Sequence, residues 1–118
     1  VDLLLFSCTA GSFLGEYQAG GVILVLGLGA DGRQIIGNFP CTGMHGGKIF
    51  LRGDCRDIRF PGQVTAKIAA EDDRQEIRAY VAEDCALFSC DTETVMNSPF
   101  TVITPDSKNP YKQMYVAN

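Results

Sequence analysis

Two stretches of this chain repeat one another at a fixed offset, and that repetition limits the possible folds more than any other feature. Gly20-Gly21-Val22-Ile23-Leu24-Val25-Leu26-Gly27 and Gly46-Gly47-Lys48-Ile49-Phe50-Leu51-Arg52-Gly53 both read Gly-Gly-x-Ile-x-(Val/Leu)-x-Gly, 26 residues apart. Self-similarity at such a period marks structural units that cannot bury their own apolar faces and must stack. In the second copy Ile49 and Leu51 alternate with Lys48, Phe50 and Arg52, the period of a strand with one inward and one outward face. Ile23 and Val25 hold the equivalent inward positions in the first copy. A weaker copy, Asp2-Leu3-Leu4-Leu5-Phe6-Ser7, lies about 20 residues earlier.

Between the strands run Gly11-Ser12-Phe13-Leu14-Gly15 and Ile35-Ile36-Gly37-Asn38-Phe39, short apolar segments that read as a second strand per repeat. Gly15, Gly20, Gly21, Gly27, Gly37, Gly43, Gly46, Gly47 and Gly53 then fall at corners, where a positive φ or a close backbone approach excludes a Cβ. Pro40 and Pro61 sit where a corner or strand end tolerates a missing N–H. The pattern predicts a mainly β chain, a β-solenoid of about three coils with successive strands ~4.8 Å apart. Two ordinary β-hairpins with coincident glycines are the alternative.

Glycine disappears from residue 63 onward, so the repeat ends there. Glu71, Asp72 and Asp73 suit a first helical turn, and Ile77, Tyr80, Val81 and Cys85 follow at helical spacing, predicting an amphipathic helix over 71–84. Phe100-Thr101-Val102-Ile103-Thr104 predicts a strand that stops at Pro105 and leads into a turn at 106–110. The chain reads as one domain, 1–118, with coils over 1–62 and a helix-and-strand extension over 63–118 that covers one end.

Few residues offer chemistry. Gly27-Leu28-Gly29-Ala30-Asp31-Gly32 imitates a dinucleotide fingerprint, with Asp54 placed 22 residues beyond as a ribose-binding acid would be. That mechanism needs the third glycine to open a helix, whereas Gly37, Pro40, Gly43, Gly46 and Gly47 follow too soon for one. Cys41 and His45 invite a nucleophile–base or metal pairing, but four residues apart in a glycine corner they do not share a face, and no C-x2-C unit supplies further ligands. Cys85 and Cys90, five apart, do not fit a metal knuckle. Each cysteine reads as a small buried apolar residue. Glu71, Asp72, Asp73 and Glu76 read as a solvated, dipole-matched helix start, and Asp54 and Asp57 flank Arg56 at a surface corner. No catalytic, cofactor-binding or metal-ligating residue is assigned, and no cofactor is expected.

Ten basic against fourteen acidic residues give a net charge of −4, which argues against nucleic acid as a partner. The apolar run 20–29 is too short to span a bilayer. Five scattered cysteines, an odd number, point to a reducing cytoplasm rather than a secreted disulfide scaffold. The start at Val1 suggests further residues upstream.

Gly15-Glu16-Tyr17-Gln18-Ala19-Gly20-Gly21-Val22-Ile23-Leu24-Val25-Leu26-Gly27, followed by Gly43-Met44-His45-Gly46-Gly47, resembles the GXGXG family. This is the right-handed β-helix domain at the C-terminus of the glutamate synthase large subunit, found also in one of the subunits of formylmethanofuran dehydrogenase. The likeness is strong over 2–53 and weaker over 65–116, and the lengthened corner Asn38-Phe39-Pro40-Cys41-Thr42 departs from it. The resemblance implies a short right-handed single-stranded β-helix with a C-terminal helix and strand packed on it. It also implies a non-catalytic structural or assembly role beside glutaminase and flavin or iron–sulfur subunits of an oxidoreductase complex. A self-assembling binding module with a ligand at 38–42, a relative of that formylmethanofuran dehydrogenase component, and an autonomous nucleotide-dependent enzyme are the other readings.

Overall fold

Strand pairing follows the register of the repeat. The computed structural model describes residues 3–30 and 32–106, which form β1 (Leu3–Phe6), β2 (Ala19–Val25), β3 (Gly46–Arg52), β4 (Val64–Ile68), α1 (Glu71–Phe88), α2 (Thr92–Met96) and β5 (Phe100–Pro105). One sheet holds all five strands in the order β1-β2-β3-β5-β4. β2 and β3 pair parallel with Ile23 opposite Ile49 and Val25 opposite Leu51, so the 26-residue offset read from the sequence is the ladder itself. β1 joins β2 in parallel with Leu4 opposite Ile23. The glycine-free half supplies the rest: β5 pairs antiparallel with β3, and β4 antiparallel with β5.

The expected right-handed single-stranded β-helix of about three coils is therefore overturned: the molecule is a mixed five-stranded sheet with two helices. Two physical reasons account for the difference. The segments expected to be second strands, 11–15 and 35–39, form turns. Their backbones alternate into left-handed conformations at Phe13, Gly15 and Tyr17, and again at Phe39, Cys41 and Gly43, which a pleated ladder cannot accommodate. The outer edge of β3 is occupied by β5 running the opposite way, so residues 64–105 complete the sheet rather than covering an end. The expected turn at 106–110 lies, beyond Asp106, outside the described residues.

Both sheet faces are buried, where the alternation alone predicted one. Ile23, Val25, Ile49, Leu51 and Ile103 pack with Leu14, Ile36, Cys41, Met44 and Val64 on the face covered by turns. Val22, Leu24, Phe50, Phe100 and Val102 pack with Ile77, Val81, Cys85, Val95 and Met96 on the face covered by α1 and α2. The strand positions read as outward are thus the seat of the helices. Lys48 and Arg52 keep their charges satisfied on that side. The Lys48 ammonium meets Glu76 at 2.8 Å, and the Arg52 guanidinium donates to the carbonyls of Leu26 and Gly27 and to Ser98 Oγ.

The helix extends four residues past its expected end. Asp73 Oδ2 accepts the Ala70 N–H at 3.1 Å, closing the N-terminus from the third helical position. Ser89, left-handed at φ 56, stops the C-terminus. Ser7 Oγ donates to Asp84 Oδ1 at 2.6 Å, pinning the end of β1 to the last turns of α1.

Gly20 and Gly21 follow Ala19 at the start of β2, and Gly46 and Gly47 open β3. Gly27 and Gly53 follow the two strand ends, and Gly15, Gly37 and Gly43 lie in turns. The tightest approach is at the start of β3. A Cβ at Gly46 would lie 2.0 Å from the Ala19 carbonyl oxygen, and one at Gly47 would lie 2.5 Å from Gln18 Nε2 and 2.7 Å from the carbonyls of Gly20 and Gly21, at φ +77. Gly47→Ala combines a left-handed penalty with an overlap against backbone, so it is expected to lower unfolding stability by ~3 kcal/mol. Gly20, with nothing within 4 Å of its Cβ position, should tolerate alanine within ~0.5 kcal/mol. Urea denaturation of both variants checks the contrast; equal losses would contradict the packing described.

Candidate functional site

The turn-covered face carries the features that could meet another molecule. Turns 10–18 and 35–46 stack on one another through backbone hydrogen bonds: Ala10 and Phe13 N–H donate to the Ile35 and Asn38 carbonyls, and Tyr17 N–H donates to Thr42. In return Gly37 and Cys41 N–H donate to Gly11 and Leu14. The left-handed positions match at the same 26-residue offset, Phe13 with Phe39, Gly15 with Cys41 and Tyr17 with Gly43. Four of these positions are filled by residues with side chains, each held in a sparsely populated conformation by its neighbours.

The consequence is a short aromatic stack on the surface. The Phe13 and Phe39 rings lie 5.3 Å apart at 21°, and both residues are more than half exposed. Beyond Phe39 opens a cavity of about 530 Å³, lined by Phe39, Pro40, Ile58 and Phe60 together with the charged Asp57 and Arg59. Its size lies within the range of small-molecule pockets. The lengthened corner 38–42 singled out in the sequence therefore does border a cavity. The sequence reading missed its other wall, 57–61, and the pairing of Phe13 with Phe39, although the shared offset was there to be read.

A second, more polar depression of about 670 Å³ lies beside the Gly27-to-Gly32 loop, with Arg33, Arg52, Asp54 and Asp57 among its lining residues. This loop does not open a helix. Gly27 and Leu28 N–H donate to the Cys8 and Ser7 carbonyls, and Ala30 N–H donates to Gly27. Arg33 Nε closes the loop on the Ala30 carbonyl at 2.9 Å. Amides used in this way are not aimed at a pyrophosphate. Asp54, the position of a ribose acid, instead forms a two-point ion pair with Arg56, at 2.8 and 2.7 Å.

The remaining sequence candidates are kept apart. Cys41 is fully buried, and burial pushes its thiol up to about 11, so it remains protonated. His45 is exposed, its Nδ1 3.1 Å from the Gly43 carbonyl oxygen. The two do not form a nucleophile and base. Glu71 accepts from Gln75 and Asp73 caps the helix, while Glu76 pairs with Lys48 of β3. Among the described residues no cluster of three His, Cys, Asp or Glu side chains has metal-binding geometry.

The Asp54 carboxyl is held at about 2 by hydrogen bonds from the Arg56 side chain and backbone. A carboxyl depressed below its unfolded value of ~3.9 contributes stability above that value and loses it as pH falls through about 2. Carboxyl-carbon NMR titration should give an Asp54 midpoint of about 2, and Arg56→Ala should move it upward toward ~3.9. An unchanged midpoint in the variant would contradict the pairing.

Comparison with known proteins adds a relative without a described role. The chain is similar to the uncharacterized protein MJ1350 of Methanocaldococcus jannaschii, at 35% identity over 121 aligned positions that take in 98% of this chain and 46% of the relative. The chain thus spans less than half the length of that protein. No protein-family model matches the chain.

Proposed function

We propose that this chain is a non-catalytic packing module of a larger cytoplasmic assembly, of the glutamate-synthase-like oxidoreductase type that its glycine pattern resembles. The observation that carries the reading is the contrast between the two edges of the sheet. β4 presents Thr65 and Lys67 along a short edge, the polar and charged protection usual for an edge strand. β1 reads Leu3-Leu4-Leu5-Phe6, carries no charge, and among the described residues pairs only with β2. Leu4 is half exposed on this strand. An uncharged apolar edge is a template for another strand, and an assembly partner is what would use it. Among the described residues no helix is long and apolar enough to cross a membrane.

The partners in this reading are glutaminase, flavin or iron–sulfur subunits, with this chain holding them in relation. A second reading, a self-assembling module that takes a ligand beside Phe39, is favoured by the cavity between Phe39 and Phe60.

Affinity purification of the tagged chain from its own cells tests both. The first reading expects glutaminase and flavin or iron–sulfur subunits in the eluate, seen as visible absorbance and by peptide sequencing. Leu4→Lys, which places a charge on the open edge, should reduce them by about tenfold, the equivalent of ~1.4 kcal/mol. A colourless homo-oligomer favours the second reading. A colourless monomer contradicts both.

A further inference from the structure

Cys85 and Cys90 are brought together by the way α1 ends. The helix stops with Ser89 in the left-handed conformation, and Cys90 N–H donates back to the Cys85 carbonyl at 3.0 Å. This is the six-to-one hydrogen bond of a Schellman cap, a motif in which the residue after the left-handed position packs its side chain against the residue five positions earlier. In most helices that contact is between two apolar side chains. Here both positions are cysteine, and Cys90 packs against the same apolar cluster that holds Cys85. The spacing that is wrong for a metal knuckle is right for this cap.

The two thiols differ in access. Cys85 is buried among Ile77, Val81 and the sheet-facing core, while Cys90 lies half-buried at the edge of the same cluster. The buried Asp84 carboxylate next to Cys85 in the chain opposes negative charge there. Burial pushes the Cys85 thiol up to about 11. Cys85 is therefore poor as a first nucleophile, and Cys90 is the sulfur an oxidant reaches. Leu87 and Phe88 project from the same turn, 80% and 58% exposed, so the cap stands at the surface.

We propose that Cys85 and Cys90 form a two-electron redox pair, converted to an intrachain disulfide across the C-terminal cap of α1 by a hydroperoxide. The Cys90 sulfur attacks one oxygen of hydrogen peroxide as it gives up its proton, and the O–O bond breaks. The released hydroxide takes up the thiol's proton and leaves as water, and Cys90 becomes a sulfenic acid. The Cys85 sulfur then displaces hydroxide from the Cys90 sulfur, and its own proton makes the second water. Two thiols and one peroxide give one disulfide and two waters, with two electrons passing from sulfur to oxygen.

The sequence makes the test direct. Cys85 and Cys90 share one tryptic peptide, 79–108, and cleavage after Phe88 separates them. After hydrogen peroxide treatment of the folded chain and alkylation, the expected peptide has lost two hydrogens and carries no alkyl group. Cleaved after Phe88, its halves should remain joined until dithiothreitol is added. Cys90→Ser should abolish the loss and leave Cys85 as an alkylatable thiol on unfolding, and Cys8→Ser should leave it intact. The proposal is overturned if Cys90 accumulates sulfinic or sulfonic acid while Cys85 stays a free thiol. It is equally overturned if the peptide is unchanged at peroxide levels that oxidise the exposed Cys8.

Discussion

The close approach of two backbones at the entry to β2 and β3 is the constraint on which the rest of the structure depends. Ala19 and Gly46 face each other with no room for a side chain between them. Gln18 fills the adjoining space: its carbonyl accepts the His45 and Gly46 N–H groups, and its side-chain amide donates to Gly20, Gly21 and Lys48. The clamp coincides with the register shift between Ala19 and Val22, where the ladder would otherwise lose its hydrogen bonds. Once it closes, Ile23 falls opposite Ile49, and every later side chain on both strands is assigned a face.

From that register the two cores follow. Ile23, Val25, Ile49 and Leu51 commit one face to the turns, and Val22, Leu24 and Phe50 commit the other to α1 and α2. The turns stack because their parent strands do, which carries Phe13 onto Phe39 and creates the cavity beyond it. α1 is fixed at two points, by Lys48 with Glu76 in its first half and by Ser7 with Asp84 near its end. β5 then completes the sheet on the far side of β3, leaving β1 as an edge without charge. The proposed assembly role rests on that asymmetry.

What was legible in the sequence was local or periodic. The Gly-Gly-x-Ile repeat carried its own register, the acids at 71–73 marked the start of α1, and the β-branched run from Phe100 marked β5. What was not legible depended on distant partners. Nothing near Phe50 says that its face will receive Ile77 and Val81 rather than water, and nothing near Phe100 says which way β5 will run beside β3. The assumption that strands repeat as coils failed at Phe13 and Phe39, because a left-handed phenylalanine leaves no sequence signal of the kind a glycine does. At the candidate site, the corner 38–42 could be named from its extra length, whereas the 57–61 wall required the fold. Cys85 and Cys90 could be seen as a pair, but their contact depends on Ser89 taking a conformation that glycine usually supplies.

The central claim is that β3 sits between a parallel neighbour related by the repeat and an antiparallel neighbour from outside it. Interstrand NOE contacts measured along β3 test this most directly. From Ile49 to Arg52, contacts to β2 should climb in sequence number from Ile23 toward Val25, while contacts to β5 should descend from Ile103 to Phe100. Contacts that climb on both sides of β3, or that never reach β5, would contradict it.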